Sequence, residues 1–241
     1  MPDKAPPHQG VLYLIPNLLG EASNDSSLPP LVARVVGRVS HFLVEEERNA
    51  RAFVKGLAPH RNLRELSFER LDGHTPASEF DRLMEPLLKG NDLGIISEAG
   101  CPGIADPGAA IVKRAHARGL VVRPLVGPCS MVLALMASGF NGQQWRFVGY
   151  LSVDDGERRS SIVRLENLVA SSSETQIIME TPYRNQKLLQ DFLSHCQPQT
   201  RLCVASGLTT PAELVEVHSI AEWRQLNRTM LKTPSLFLLG S

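Results

Sequence analysis

SEAGCPGIADPGAAIVKRAHARGLVVRPLVGPCSM, residues 97–131, is the stretch that decides the fold. One apolar run, 93–96, precedes it and another, 121–125, lies within it, and each leads into a turn rich in glycine and proline. The segment 109–118 between them has the composition of a helix. The pattern predicts a β-α-β unit with both turns at the carboxyl ends of neighbouring parallel strands, where open α/β sheets bind their ligands.

The two turns contain four glycines: Gly100, Gly103, Gly108 and Gly127. Glycine accepts backbone conformations closed to other residues and lets a ligand approach the main chain. Asp106 precedes Pro107 and can cap the next helix, so this motif alone indicates no more than a helix start. The density of glycine and proline over two successive turns favours a ligand site, because ordinary connections in α/β units are short.

The composition is that of a globular chain without overall charge. With 241 residues, the chain is long enough for one large or two small domains. Its hydrophobic content of 43% is normal for a globular protein. The 25 basic and 25 acidic residues cancel, so only a local basic patch could attract nucleic acid.

Cysteine spacing and the N-terminal sequence bear on metal binding and location. None of the four cysteines forms a CxxC pair, so the spacing suggests neither a zinc site nor a redox motif, and we expect no metal. Residues 1–10 are polar and proline-rich, unlike a signal peptide. No apolar run approaches the roughly 20 residues of a membrane span. We therefore expect a cytoplasmic protein with free thiols.

The order of predicted elements gives an α/β fold with a domain boundary near Gly127-Pro128. In residues 1–127, strands alternate with helices, which predicts a mostly parallel, doubly wound sheet. Residues 128–241 mix strands and helices without strict alternation and predict a mixed α/β domain. Three less regular segments are also assigned. Residues 63–68 are interpreted as a strand and 76–88 as a single helix. Residues 154–159 are interpreted as a charged turn, followed by an exposed helix over 159–170.

Acidic residues and one histidine stand at predicted strand ends or loops. Glu45 and Glu46 follow the strand 40–44, where acidic residues also favour the start of a helix through its dipole. We prefer that explanation on pattern alone, but the strand-end position keeps a functional role open. His74 lies in a loop, where a lone histidine is more often a surface residue.

Five motifs resemble the tetrapyrrole methylase superfamily in their order along the chain: SEAGCPGIADPG, PLVGPCS, FVGYL, METPYR and SGLT. The resemblance extends from Leu12 to Leu239, and its most specific part is 97–130. The nearest branch looks like the bacterial 16S ribosomal RNA cytidine-2′-O-methyltransferases. The segment 44–51 also resembles that branch's acidic strand end with two arginines.

The resemblance implies two α/β domains, a homodimer, and S-adenosylmethionine bound in the cleft between the domains. Much of the cofactor would be held by backbone groups. By matching positions, the cofactor-binding candidates are Pro16, Glu98, Ala99, Gly100, Cys101, Asp106, Pro107, Gly127, Pro128, Met179, Thr181 and Leu208.

The sequence departs from the branch at three places. After the first strand the branch carries threonine-proline-isoleucine-glycine-asparagine, of which the segment 15–19 keeps only the proline. Glu98 replaces an aspartate. Ser206-Gly207 stands where the branch carries arginine-glutamate. The charged turn at 154–159 is also more acidic than an RNA-facing loop should be.

Methyl transfer from a sulfonium mainly requires alignment of the acceptor, and a hydroxyl acceptor must also lose its proton. The catalytic candidates are Glu45, Glu46, His74 and Glu180, and a positioned water is an alternative. Three arginines are candidates for binding an anionic acceptor or, equally, for surface ion pairs: Arg48, Arg51 and Arg184. The expected function is S-adenosylmethionine-dependent methyl transfer, with ribosomal RNA or a small molecule as acceptor.

Three other interpretations remain open. The acceptor would be a tetrapyrrole if the cleft were apolar, whereas RNA predicts a basic patch and steep salt dependence. The chain could also be a cofactor-binding interaction protein without catalysis, which any turnover would exclude. A nicotinamide-binding protein is the weakest alternative, because no G-x-G-x-x-G follows the first strand.

Overall fold

Two five-stranded sheets organise the protein, each in its own compact unit. The computed structural model describes residues 9–20, 27–230 and 232–241. The first unit extends to Pro128 and the second begins at Cys129. Within the described residues, no helix is both long and apolar enough to cross a membrane.

The first unit contains an all-parallel sheet with strand order β3-β2-β4-β1-β5. Its elements along the chain are β1 Val11–Ile15, α1 Pro30–Val36, β2 His41–Val44, α2 Glu47–Leu57, β3 Ser67–Arg70, α3 Phe80–Leu83, α4 Glu85–Leu88, β4 Leu93–Ile96, α5 Gly108–Ala117 and β5 Val121–Pro124. Because all five strands run the same way, their carboxyl ends share one edge. The predicted parallel α/β sheet is confirmed.

Alternating side chains of these strands form a core on each face of the sheet. Phe42 and Val44 of β2 pack with Val54 of α2 on one face. Leu43, between them in sequence, packs with Ile111 of α5 on the other face. A fully buried side chain of this size stabilises the fold by about 1.5–3 kcal/mol. Helices cover both faces, which is why β4 is buried along its whole length.

The strand order corrects the prediction that β4 and β5 are neighbours. β1 lies between them, with Leu14 paired to Ile95 on one side and to Pro124 on the other. β5 is an edge strand because Pro124 has no N–H to donate and Arg123 is exposed. As a result, the chain that follows β1 lies between the two glycine-rich turns.

Two segments of the first unit differ from prediction. The strand expected at 63–68 is a 3-10 helix, Leu63–Glu65, and then β3, because the side chain of Asn62 accepts from the Arg64 N–H and starts a helical turn. The single helix expected at 76–88 is a 3-10 helix, Ala77–Glu79, followed by α3 and α4. Pro86 has no N–H with which to continue an α-helix through this point.

The second unit contains a mixed sheet with strand order β6-β7-β10-β8-β9. Its elements are α6 Ser130–Ser138, β6 Trp145–Gly149, α7 Asp155–Ser172, β7 Thr175–Glu180, α8 Asn185–His195, β8 Arg201–Ser206, β9 Leu214–Ser219, α9 Ile220–Leu226 and β10 Ser235–Gly240. β6 is parallel to β7, and β10 is antiparallel to both β7 and β8. The carboxyl ends of β6, β7 and β8 therefore lie at one edge.

The predicted charged turn at 154–159 is wrong, because helix α7 already begins at Asp155. The side chain of Asp154 accepts from the Glu157 N–H at 2.8 Å and caps the helix. Nor is the helix exposed throughout, since Ile162 and Leu165 are buried in the core of this unit. The acidic residues at 154–157 thus belong to a helix start.

Candidate cofactor and acceptor site

Three adjacent strand ends of the first unit bring together the predicted cofactor turns. Pro16 follows β1, the turn 97–103 follows β4 and Gly127 follows β5, and β1 is hydrogen-bonded to both other strands. The nine cofactor candidates of this unit, from Pro16 to Pro128, all lie on these three connections. This edge is where parallel α/β sheets bind ligands.

Asn17 ties the β4 turn to the end of β1. Its backbone N–H donates to the Gly100 carbonyl at 2.9 Å. Its side-chain amide donates to the carbonyls of Ser97, at 2.9 Å, and Glu98, at 3.2 Å. Sequence comparison marked this position only as a departure from the branch, so its role was missed. The available signal was an amide side chain directly after a buried strand and its proline.

Gly127 packs directly against Pro16. A methyl group added at Gly127 would lie 2.2 Å from the Pro16 Cβ and 2.3 Å from its Cγ, far inside van der Waals contact. The ends of β1 and β5 are also joined by a hydrogen bond from the Leu125 N–H to the Leu14 carbonyl, at 3.0 Å. Only glycine allows the two turns to approach this closely.

Asp106 holds the second turn after β4. One carboxylate oxygen, Oδ1, accepts from the Gly103 N–H at 3.0 Å and from the Gly108 N–H at 2.7 Å. The same oxygen lies 2.6 Å from where a Cβ at residue 108 would be, so the helix must begin with glycine here. Asp106 therefore fixes the turn and starts α5, as its position before Pro107 predicts.

Replacing Asp106 by alanine should lower the free energy of unfolding by about 1–2 kcal/mol, because both N–H groups lose their acceptor. It should also weaken binding of S-adenosylmethionine, since the turn loses its shape. Asp106→Asn keeps an acceptor oxygen and should recover most of both properties. Urea unfolding and calorimetric titration measure the two effects, and equal behaviour of the two variants would contradict this role.

Glu98 joins the β4 turn to the start of α2. Its Oε2 accepts from the Asn49 side-chain amide at 2.7 Å, and its Oε1 from the Glu46 N–H at 3.2 Å. Glu98 stands where the branch has an aspartate, and its longer side chain reaches from the end of β4 to the start of α2, directly after β2. Glu46 itself accepts from the Arg48 N–H and caps α2.

Glu45 is a half-buried carboxyl between β2 and α2. Burial is the main factor that raises its pKa above the ordinary value, and the negative charges of Asp106, Glu98 and Asp72 raise it further. A backbone hydrogen bond from Glu98 offsets part of this rise. A raised pKa in a carboxyl at a ligand-binding edge is the property expected of a general acid or base.

The other candidates of this unit differ in their surroundings. His74 is exposed in a loop, where its N–H donates to Asp72. Arg51 donates to Glu47 and to the Leu63 carbonyl, and its guanidinium lies 4.4 Å from the centre of the Phe68 ring. Arg48 is exposed on the first turn of α2. The structure thus gives Arg51 intramolecular partners and leaves Arg48 accessible.

A cavity of about 510 Å³ lies in the first unit beside the β4 turn. Its described lining residues are Asn17, Leu18, Leu19, Gly20, Leu28, Asn49, Ala52, Phe53, Gly56, Leu57, Glu98 and Ala99. This volume is within the range of small-molecule sites, about 300–1,000 Å³. The walls are largely apolar, and the polar groups come from Glu98 and the two asparagines.

In the second unit, the predicted residues follow β7 and β8 at one edge. Met179 and Thr181 lie at the end of β7, and Leu208 follows β8. Glu180 is fully buried; its Oε1 accepts from the Thr181 N–H at 2.7 Å, and its Oε2 lies 3.1 Å from Arg184. These contacts and its burial hold the Glu180 side chain inside the fold, so it is not an accessible base.

Ser206-Gly207, the third departure from the branch, belongs to a buried polar cluster. The Ser206 hydroxyl lies 2.7 Å from that of Ser235, and Ser235 pairs across the sheet with Glu180 on its other side. Gly207 has φ +58°, a left-handed conformation that favours glycine. The small residues fit a tight turn after β8.

Known proteins are similar to this chain in sequence and in fold. A family model described as Tetrapyrrole (Corrin/Porphyrin) Methylases matches residues 23–223. The Ribosomal RNA small subunit methyltransferase I of Vibrio cholerae is 29% identical over 222 residues, covering 92% of this chain and 72% of that protein. The protein of that name from Streptococcus pyogenes is 29% identical over 237 residues, covering 96% and 76%.

Solved methyltransferase structures agree in fold. A cobalt precorrin-4 methyltransferase, a cobalamin biosynthetic enzyme, has a TM-score of 0.62 at 13% identity and covers 95% of this chain and 94% of its own. The uroporphyrin-III-C-methyltransferase of Thermus thermophilus has a TM-score of 0.54 at 18% identity, covering 96% and 92%. Because the family model spans most of the sequence, the chain belongs to the tetrapyrrole methylase family and is an S-adenosylmethionine-dependent methyltransferase.

Proposed function

We propose that the protein methylates a 2′-hydroxyl of RNA, with small-subunit ribosomal RNA as the first acceptor to test. The observation that carries the proposal is the grouping of the predicted cofactor turns on three adjacent strand ends, locked by Asn17 and by the Pro16–Gly127 contact. The choice of RNA as the acceptor rests on the similar proteins, whose name specifies ribosomal RNA.

The turns suit a cofactor held by backbone groups. Gly100 has φ +68°, Ala99 is exposed, and Val126 beside Gly127 is 76% exposed, so each turn combines a residue accessible from outside with a glycine that allows close approach to the backbone. A side chain at Gly127 would collide with Pro16 and push the two turns apart. Pro16, Ala99, Gly100, Asp106 and Gly127 would hold the cofactor from this unit; the contributions of Met179, Thr181 and Leu208 remain predictions.

S-adenosylmethionine supplies a methyl group already activated on a positively charged sulfur. The protein then has to orient the acceptor and accept the proton of its hydroxyl. Glu45 is our choice as general base, since it is a half-buried carboxylate with a raised pKa at the ligand-binding edge. Glu46 is engaged as a helix cap, and Glu180 is paired with Arg184.

Acceptor binding requires contacts to phosphate and to a nucleoside. Arg48 is exposed three residues after Glu45 and is our choice for a phosphate contact. The cavity beside Asn49 and Glu98 has room for a nucleoside and combines apolar walls with hydrogen-bonding groups. A homodimer and a cytoplasmic location also remain predictions, the former implied by the resemblance.

Two measurements test the proposal. Calorimetric titration with S-adenosylmethionine and S-adenosylhomocysteine should show saturable binding, and Gly100→Trp, which fills the turn, should remove it. Methyl transfer from labelled S-adenosylmethionine to small-subunit ribosomal RNA should then place the label on a ribose. Cofactor binding without label in RNA would contradict the proposed acceptor, and no binding by the folded protein would contradict the assigned cofactor site.

The tetrapyrrole alternative is tested in the same assay. The solved structures with this fold are of enzymes named as uroporphyrin-III and cobalt precorrin-4 methyltransferases, but at 13–18% identity they are informative about the fold alone. Uroporphyrinogen offered in place of RNA should accept no label. Label in this acceptor and none in RNA would establish the alternative, while turnover with either would exclude a purely non-catalytic role.

A further inference from the structure

Large apolar side chains are exposed on two loops of the second unit. Tyr150 is 56% exposed, Val153 76% and Tyr183 89%. Tyr150 directly follows β6, and Tyr183 lies three residues beyond β7. Because β6 and β7 are parallel neighbours, the two loops leave the same edge of the sheet side by side.

Two arginines bind the backbone of the loop after β6, and one of them, Arg184, ties it to the loop after β7. Arg184, next to Tyr183, donates from Nη2 to the carbonyls of Leu151, at 3.0 Å, and Ser152, at 3.3 Å. Arg158 donates from Nη1 to the carbonyls of Ser152, at 3.0 Å, and Val153, at 2.9 Å. Arg158 is only 3% exposed and is itself held by Asp191 at 2.6 Å. Hydrogen bonds from these arginines therefore hold the loop backbone near both tyrosines in place.

Neither tyrosine is buried in the core, in contrast to the tyrosine of the first unit. Tyr13 is 3% exposed, and its hydroxyl accepts a hydrogen bond from Arg38. Burial is what makes an aromatic side chain stabilise a fold, so rings as exposed as Tyr150 and Tyr183 add little to stability. Two exposed rings on a braced surface are the arrangement of a contact site.

We propose that Tyr150 and Tyr183 form a stacking platform for unpaired bases of the RNA acceptor, an inference that rests on the proposed function. Proteins bind single-stranded nucleic acid by stacking its bases on aromatic side chains. The same sheet edge carries Thr181, a predicted cofactor contact. Bases held there would lie at the edge of this unit that carries its predicted cofactor contacts.

The charges around the platform are compatible with RNA. Asp155 pairs with Arg158 and Lys187, and Glu157 accepts from the Ser152 hydroxyl at 2.8 Å. The two cationic partners of Asp155 reduce its repulsion of phosphate, whereas the partner of Glu157 is a neutral hydroxyl. A protein partner is less suitable, because stable interfaces bury about 800 Å² on each side and this patch consists of three side chains.

The test measures binding of an oligocytidine of about 10 nucleotides by fluorescence anisotropy. Tyr150→Leu and Tyr183→Leu should each raise its Kd about 5- to 100-fold. Tyr→Phe at either position should restore binding, since the ring is kept. Trp145→Leu, which removes an exposed aromatic from the opposite end of β6, is the matched control and should have no effect. The salt dependence of binding should not change, because no phosphate contact is lost.

Binding of S-adenosylmethionine is measured for every variant and separates the possible outcomes. Wild-type affinity for the oligonucleotide in both leucine variants would overturn the platform and leave the proposed function standing. Loss of self-association in these variants, without loss of RNA binding, would assign the surface to a second protein chain and also overturn it. Cofactor binding by the wild-type protein without affinity for RNA would overturn the proposed acceptor and the platform together.

Discussion

Gly127→Ala should raise the Kd for S-adenosylmethionine about 10- to 100-fold. The added methyl group would lie 2.2 Å from the Pro16 Cβ, and a proline ring cannot rotate away. Overpacking of this kind destabilises the fold by about 1–3 kcal/mol. The clash is relieved if the β5 turn moves away from β1. Because the predicted cofactor contacts lie on both turns, a shift of one should separate groups that have to bind together. Calorimetric titration measures the change.

Gly73→Ala is the matched control, because a methyl group at Gly73 would have no atom within 4 Å. It should leave both cofactor affinity and melting temperature unchanged. The Gly127 variant should have a lower melting temperature, so its titration is performed at a temperature where circular dichroism shows it folded. Wild-type affinity in the folded variant would show that the contact of Gly127 with Pro16 does not shape the cofactor site.

The fold was largely predictable, because the parallel sheet is encoded in local patterns. Apolar runs such as 93–96, followed by glycine-rich turns, specify buried strands and their ends. The order of strands was not predictable from the same patterns, since the β-α-β motif does not show that β1 is inserted between β4 and β5. Pro124 and Arg123 in β5 were the residues that marked it as an edge strand.

The position of the glycine-rich turns was predictable from the motif, as at Gly100 and Gly127, while their part in cofactor binding stays a prediction. The candidate site was not predictable where side chains cross between connections distant in sequence. Asn17 reaches the turn 97–100, about 80 residues later, and Glu98 reaches Asn49 of α2. These contacts depend on strand order, so the departures from the branch at both positions gained a structural explanation only from the fold.

Glu45→Gln should lower kcat for RNA methylation about 10²- to 10⁴-fold and leave cofactor affinity unchanged. The reason is that glutamine keeps the shape of the side chain but cannot accept the proton of the acceptor hydroxyl. Glu46→Gln is the matched control on the next residue, and its kcat should stay close to that of the wild type. In the wild type, kcat/KM should fall as the pH is lowered through the raised pKa of Glu45, since only the carboxylate acts as a base.

The raised pKa of Glu45 also fixes the sign of its effect on stability. A carboxyl whose pKa is raised by folding stabilises the fold below its ordinary pKa, and this contribution is lost as the pH rises through the raised value. Glu45→Gln should therefore melt at a higher temperature than the wild type at neutral pH, and the difference should disappear in acid. A variant with wild-type kcat would exclude Glu45 as the base, whereas low kcat without the gain in melting temperature would place the raised pKa on another group.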